Sequence, residues 1–75
     1  MPRKIRQLLA ELRWAGFEQL AGRGKGSHTL WAHPLTPGEQ PTIAGRAGDD
    51  AKPYQEQVVR AALAAVEAAK AAERE

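Results

Sequence analysis

The stretch Gly22–His28, with the sequence GRGKGSH, holds the residue types in this chain that are best suited to chemistry. Its glycines alternate with Arg23 and Lys25, and Ser27 and His28 follow. Glycine lets backbone N–H groups approach a phosphate closely, and the two cations add attraction for the anion. Histidine is the side chain best placed to exchange protons near neutral pH. The stretch therefore predicts a phosphate site beside a proton-transfer group, which is the minimum needed to cleave RNA through its own 2′-hydroxyl without a metal.

A flexible turn is the simpler interpretation of glycines at alternate positions. The spacing matches neither the phosphate loop of nucleoside triphosphatases nor the dinucleotide fingerprint, and in both of those motifs a helix must follow the glycines. Here the branched and aromatic segment Thr29–His33 follows and is closed by Pro34, a pattern typical of a strand. Nucleotide-binding folds of these two kinds are therefore excluded.

Charge is distributed unevenly along the 75 residues, although the net charge is only +2. The first 33 residues hold six basic and two acidic side chains, and the remainder hold five basic and seven acidic ones. A basic half is typical of proteins that bind nucleic acid or phosphate, although many solvated surfaces share it. The chain has no cysteine and no apolar stretch near the roughly 18 residues of a membrane span. We expect one small cytoplasmic domain over residues 1–75, without a membrane segment, a metal site or a small-molecule cofactor.

Helical and extended patterns define the elements that must position these residues. Apolar residues recur at helical spacing from Ile5 to Leu12, and Gly16 suits the position just past a helix end. Pro53 suits the first turn of a second, alanine-rich helix. The predicted elements are a helix over about 3–15, strands over about 17–21, 28–33 and 41–44, and a helix over about 53–72.

His33 is a candidate second proton donor, but a structural role at the end of a strand is the favoured interpretation. His28 and His33 have opposite parity on one strand, so their side chains should face opposite sides of the sheet. Asp49 and Asp50 are interpreted as carboxylates at the start of the second helix. No spacing among these four residues supports a metal site.

Two aromatic residues have a structural and a functional interpretation. Trp31 could stack on a nucleobase, but a core or partner-interface position is favoured in so small a domain. Tyr54 is predicted to be a core residue. Neither aromatic residue is therefore placed in the predicted site.

The chain resembles the HicA family of toxins from bacterial toxin–antitoxin modules. The resemblance extends from Ile5 to about Val66. It is carried by LRWAGF at Leu12–Phe17, GKGSH at Gly24–His28, the pair His33-Pro34, and the segment Gly45–Lys52, which is similar to one branch of the family. The turn Pro34–Pro41 departs from the family pattern because it is longer and richer in proline.

This resemblance implies an α+β fold like the double-stranded-RNA-binding domain, in α-β-β-β-α order, with both helices on one face of a three-stranded antiparallel sheet. It further implies a metal-independent endonuclease that cuts mRNA and is held inactive by a HicB-like antitoxin. The family's catalytic histidine corresponds to His28, and Lys25 is the best placed of its basic contacts. The further predicted RNA or phosphate contacts are Arg23, Gly26, Ser27 and Arg46. The alternative is a non-catalytic RNA-binding or partner-binding domain of the same fold.

Overall fold

A computed structural model describes residues 2–20 and 28–74 of the chain as a small α+β fold. Its elements are α1 (Ile5–Trp14), β1 (Glu18–Gln19), β2 (Thr29–Ala32), β3 (Thr42–Ile43) and α2 (Pro53–Arg74). The strands pair antiparallel in the order β1-β2-β3. The predicted α-β-β-β-α order and the three-stranded antiparallel sheet are confirmed. No helix within these described ranges has the length and apolar character needed to cross a membrane.

Each strand is shorter than the sequence pattern predicts. Phe17 lies in the turn that closes α1 and not in β1, because its N–H donates to the carbonyl oxygen of Leu12 at 2.9 Å. Pairing continues past β1, since the N–H of Leu20 donates to the carbonyl of Leu30 at 2.8 Å. Pro41 has no N–H to contribute to the ladder ahead of β3. The sheet is therefore small, and it depends on the helices for most of its packing.

Both helices pack against the same face of the sheet, where the buried apolar side chains form one cluster. Trp31 of β2 is fully buried, and its indole N–H donates to Thr29 Oγ1 at 2.9 Å. The guanidinium carbon of Arg13 lies 5.0 Å from the centroid of the Trp31 ring. Trp31 is thus a core residue, as favoured from the sequence, and its ring has no free face for a base. The cluster consists of Ile5, Leu8, Leu12, Phe17, Trp31, Ile43, Ala51, Val59, Ala62 and Val66.

The two helices begin at the same end of the molecule and share one capping arrangement. The backbone N–H of Lys4 donates to Gln7 Oε1 at 2.7 Å, and that of Lys52 donates to Gln55 Oε1 at 2.9 Å. A glutamine three residues after the cap satisfies a backbone N–H that lies outside the helical ladder. The same sequence pattern, Lys-x-x-Gln, therefore starts both helices.

Arg3 joins the two helices through its guanidinium group. It forms ion pairs with Glu11 of α1 and with Glu56 of α2, the latter at 3.0 Å. The hydrogen bond with Glu11 is the main cause that raises the pKa of Arg3 above its usual value, with a further contribution from Glu56. The N–H of Ala51 also donates to the carbonyl oxygen of Arg3. These contacts hold the first turns of α1 and α2 side by side.

The loop between β3 and α2 folds onto the start of α1. The N–H of Ile5 donates to the carbonyl oxygen of Asp49 at 2.9 Å. The carboxylate of Asp50 forms an ion pair with Lys4. The carboxylate of Asp49 accepts from the N–H of Arg46 at 2.9 Å, within the loop itself. Both residues also lie just before α2, so their interpretation as carboxylates at the start of that helix stays a prediction.

Candidate functional site

Two of the six predicted site residues, His28 and Arg46, lie within the described chain. The other four lie outside the described residues; they are Arg23, Lys25, Gly26 and Ser27. The described part of the candidate site therefore consists of His28, Arg46 and the residues around them.

His28 immediately precedes β2, and its side chain is exposed. Alternation along the strand places Thr29 and Trp31 on the helix side and His28 on the open side of the sheet. Thr29 pairs with Ile43 of β3. Continuing this register by one residue sets Ala44 beside His28. His28 thus stands on the rim of the sheet, where β2 begins and β3 ends.

Three exposed cations lie at this same end of the molecule. Arg46 follows Ala44 by two residues, and Lys52 directly precedes α2. Arg6 is brought beside the Arg46 loop because its backbone N–H donates to the carbonyl oxygen of Ala47 at 3.0 Å. The ion pairs among described residues are Arg3–Glu11, Arg3–Glu56, Lys4–Asp50 and Lys70–Glu67. Arg6, Arg46 and Lys52 take part in none of these pairs, so within the described chain their charges are available to an anion.

His33, the other histidine, is 8% exposed and faces the opposite side of the sheet. The N–H of Leu35 donates to His33 Nδ1 at 3.0 Å, so the proton of the neutral ring lies on Nε2. Nε2 is then the donor to the carbonyl oxygen of Ala15, also at 3.0 Å. Because both ring nitrogens are engaged and the ring is buried, His33 has a structural role. The exposure of His28 and the burial of His33 agree with the opposite orientation predicted from their parity.

The segment Ala15–Phe17 forms a single structural unit with His33. The rings of Phe17 and His33 meet edge to face with centroids 5.1 Å apart. Gly16 has a φ of +102°, and a Cβ atom on it would lie 2.9 Å from His33 Nε2. Only glycine fits this conformation without strain and leaves room for the imidazole. The AGF and HP elements of the sequence therefore contribute to the fold through the His33 ring and its contacts.

A polar cleft of about 430 Å³ lies between the end of β3 and the start of α2. Tyr54 forms part of its wall and is 57% exposed, so the prediction that Tyr54 is a core residue is wrong. The buried positions of α2 explain the error: Gln55 and Val59 face the core, and Tyr54 precedes that face by one residue. The helical period of α2 could have identified this position. The cleft is lined by Ile5, Ala44, Gly45, Asp49, Asp50, Lys52, Tyr54 and Gln55.

An apolar groove lies at the other end of the helices. Trp14, at the end of α1, is 93% exposed beside a groove of about 620 Å³. Leu63 and Val66 of α2 form the apolar wall of this groove. The groove is thus separated from His28 by the length of α1.

The rim of the sheet combines an exposed imidazole with cations that can hold phosphate, which suits proton transfer beside an anionic substrate. Within residues 2–20 and 28–74, no three His, Cys, Asp or Glu side chains are grouped so as to hold a metal ion. Comparison of the chain with models of protein families, with curated proteins and with solved structures found no match.

Proposed function

We propose that this protein is a metal-independent RNA endonuclease, the toxin of a type II toxin–antitoxin module, with His28 in proton transfer. The observation that carries the proposal is the exposed imidazole of His28 at the end of the sheet where Arg6, Arg46 and Lys52 are also exposed. Phosphate contacts position a nucleic acid, and a histidine beside them can act on the sugar hydroxyl. The resemblance to HicA toxins supports the same activity and the same histidine.

The proposed reaction uses the RNA's own 2′-hydroxyl as the nucleophile. His28 removes the proton from this hydroxyl, and the oxygen attacks the adjacent phosphorus. The bond from phosphorus to the 5′-oxygen breaks, and that oxygen takes up a proton from the solvent. The imidazolium of His28 then releases its proton to the solvent, which restores the neutral base. The products are a 2′,3′-cyclic phosphate and a 5′-hydroxyl, so neither water nor a metal ion is consumed in this step.

The cations have a separate task in this proposal, which is to hold phosphates on either side of the bond that breaks. Among the described residues, Arg46 is the one predicted to hold phosphate. Arg6 is held close to the Arg46 loop because its backbone N–H donates to the carbonyl oxygen of Ala47. Lys25 and Arg23, with the backbone at Gly26 and Ser27, remain predicted contacts from the sequence. Cations that form no ion pair with the described residues can stabilise the developing negative charge on the phosphorane oxygens.

Cleavage of RNA by purified protein tests the assignment of His28. We expect His28→Ala to lower the cleavage rate by about 10²–10⁴-fold, the usual contribution of a general acid or base. Thr42→Ala is the matched control, because Thr42 is also exposed on the open face, in the neighbouring strand. Cleavage by His28→Ala at the rate of the parent protein would show that another group carries the reaction. Inhibition by EDTA would contradict the metal-independent mechanism.

A non-catalytic RNA-binding or partner-binding domain is the second candidate function. It is favoured by one observation: among described residues, no side chain hydrogen-bonds the His28 imidazole, and His33 is engaged elsewhere. Such a domain binds RNA with the same dependence on salt but leaves it intact. Parent protein that binds RNA and yields no 2′,3′-cyclic phosphate product would establish this alternative.

The proposed partner is a HicB-like antitoxin that neutralises the toxin in the cytoplasm. Expression of the parent chain alone should stop the growth of a bacterial host by depleting mRNA. Expression together with an antitoxin-sized reading frame adjacent to its gene should restore growth, and expression of His28→Ala should not stop growth. Growth arrest that persists in the His28→Ala strain would contradict RNA cleavage as its cause.

A further inference from the structure

The cleft between β3 and α2 combines an accessible aromatic ring with a cation. Tyr54 is one of two large apolar side chains that the described surface exposes, and the other, Trp14, lies at the opposite end of the helices. Lys52 is exposed at the rim of the same cleft and forms no ion pair with a described residue. Gln55, also in the cleft wall, is fully engaged, since it accepts from Lys52 N–H and donates to the carbonyl oxygen of Ala44 at 2.7 Å. The Tyr54 ring and the Lys52 ammonium are therefore open to a ligand at this cleft.

The charges in the cleft decide which part of a nucleotide it suits. Asp49 and Asp50 contribute to the lining, and each has one carboxylate oxygen engaged: Asp49 by the N–H of Arg46, and Asp50 by Lys4. Carboxylates repel a phosphate, but they accept hydrogen bonds from the amino groups of nucleobases. A phosphate therefore belongs at the rim beside Lys52, and an uncharged base belongs inside the cleft against Tyr54.

The position of the cleft ties it to His28. Ala44 and Gly45 form one of its walls, and Ala44 lies beside His28 in the continued register of β2 and β3. Adjacent strands are about 4.8 Å apart, so the backbone of His28 lies about one strand spacing from Ala44, which lines the cleft. One strand of RNA that passes over this end can place a base in the cleft and its neighbouring phosphate near His28.

We infer that the cleft at Tyr54 is a nucleobase subsite, and that the substrate is RNA with an unpaired base next to the bond that is cut. This inference rests on the proposed function. A base inside a duplex is stacked on both faces and cannot lie on Tyr54, whereas an unpaired base can, as in other proteins that bind single strands through aromatic side chains. Tyr54 is thus a binding residue that selects single-stranded RNA, and Lys52 holds the phosphate of the same nucleotide.

Binding is best measured with 2′-O-methyl oligonucleotides, which lack the nucleophile and so allow use of the parent protein. With a ten-nucleotide single strand, we expect Tyr54→Ala to weaken binding by about fivefold to a hundredfold, the range found for loss of one stacked base. Tyr54→Phe keeps the ring and should bind within about twofold of the parent protein. Trp14→Ala is the matched control for removal of an exposed aromatic ring and should bind like the parent.

Oligonucleotides that lack bases separate stacking from other effects of the substitution. Tyr54→Ala should bind an abasic strand or a duplex as well as the parent does, because neither offers an unpaired base. Equal binding of the normal single strand by Tyr54→Ala and by the parent would overturn the subsite. An equal loss on the abasic strand would overturn it as well.

The subsite and the proposed function can fail separately. If Tyr54→Ala loses affinity as expected while His28→Ala still cuts RNA at the parent rate, the subsite is supported and the catalytic assignment of His28 is wrong. If His28→Ala is inactive but Tyr54→Ala binds RNA like the parent, the proposed endonuclease activity is supported and the subsite is wrong. If the parent protein binds none of these oligonucleotides, both are wrong.

Discussion

His33 and Gly16 depend on each other, because the imidazole occupies the space that a side chain at position 16 would need. The ring connects the end of α1 to the end of β2 through its bond to the carbonyl oxygen of Ala15. It also fixes the turn that follows β2 through the N–H of Leu35. A buried hydrogen-bonded ring of this kind stabilises the fold chiefly because its loss leaves buried polar groups without partners.

Gly16→Ala should destabilise the protein strongly. Its φ of +102° is a strained conformation for alanine, which costs about 1–3 kcal/mol, and the new methyl group would press on His33 Nε2. Gly38→Ala is the matched control, since a Cβ there would meet no atom within 4 Å, and its effect should stay within about 0.5 kcal/mol. Urea unfolding curves of the two variants measure the difference. Equal midpoints would contradict the steric role of Gly16.

His33→Ala should lower the free energy of unfolding by about 2–4 kcal/mol, because the buried ring is lost and its two half-buried hydrogen-bond partners, Ala15 and Leu35, lose their bonds. RNA cleavage by the folded fraction should be unchanged, since the ring lies on the other side of the sheet from His28. Cleavage normalised to the folded fraction is the measurement. A loss of turnover in fully folded His33→Ala would instead give His33 a part in the chemistry.

At the scale of residues, alternation predicted opposite orientations for His28 and His33, and the exposure of one and the burial of the other agree with it. It could not show that both nitrogens of His33 would be engaged, because Ala15 and Leu35 reach the ring only in the folded chain. Tyr54 was misassigned because its aromatic character was weighted above its position on α2. One residue, or about 100° around the helix, separates it from the buried Gln55.

At the scale of elements, the same capping arrangement starts both helices, but we expect it to contribute more to stability in α2 than in α1. Gln7 is exposed and satisfies a single N–H of α1. Gln55 is buried, and besides capping α2 it donates to the carbonyl oxygen of Ala44 at the end of β3. Gln55 therefore positions α2 relative to the strand that lies beside His28.

Gln55→Ala should cost about 2–3 kcal/mol, because the substitution leaves a buried carbonyl and a helix N–H without partners. Gln7→Ala, the matched variant on α1, should cost only about 0.5–1 kcal/mol, as expected for an exposed cap. Thermal unfolding followed by circular dichroism compares the two. A larger effect at Gln7 than at Gln55 would show that the link to β3 contributes little.

The helices were easier to predict than the strands. The apolar spacing from Ile5 to Leu12 and the proline at position 53 mark both helices clearly. Two of the strands are short because of the residues beside them. The N–H of Phe17 bonds to the end of α1 and is not available to β1, and Pro41, before β3, has no backbone N–H to donate. These limits arise from tertiary contacts and turn geometry, and the alternation of apolar and polar residues along a strand does not predict them.

At the scale of the whole molecule, the fold brings together cations that lie in different halves of the sequence. The loop that carries Arg46 folds onto the first turn of α1, so a cation from the acidic half of the chain joins Arg6 from the basic half. The net charge of each half could not predict this, because the contact between Arg6 and Ala47 spans about 40 residues of sequence.

Arg46→Ala should reduce the salt dependence of RNA binding as well as the affinity. Each phosphate contact on single-stranded RNA contributes about 0.7 to the slope of log K against log salt concentration, so the slope should fall in magnitude by about that amount. Arg60→Ala removes an exposed cation from the middle of α2 and should leave the slope unchanged. Fluorescence anisotropy across a salt series measures both slopes. Identical slopes for Arg46→Ala and the parent would remove Arg46 from the interface.

The unit formed by Ala15–Phe17 and His33 also bears on how the protein can change over generations. It stabilises the fold without using His28, whose side chain is exposed and packs against none of these residues. Under the proposed function, one substitution at His28 abolishes activity with little cost in stability, whereas substitutions within the unit destabilise the fold. A descendant that lost activity in this way would retain AGF and HP and lose only the histidine, and it would pass from the proposed enzyme to a binding domain in a single step.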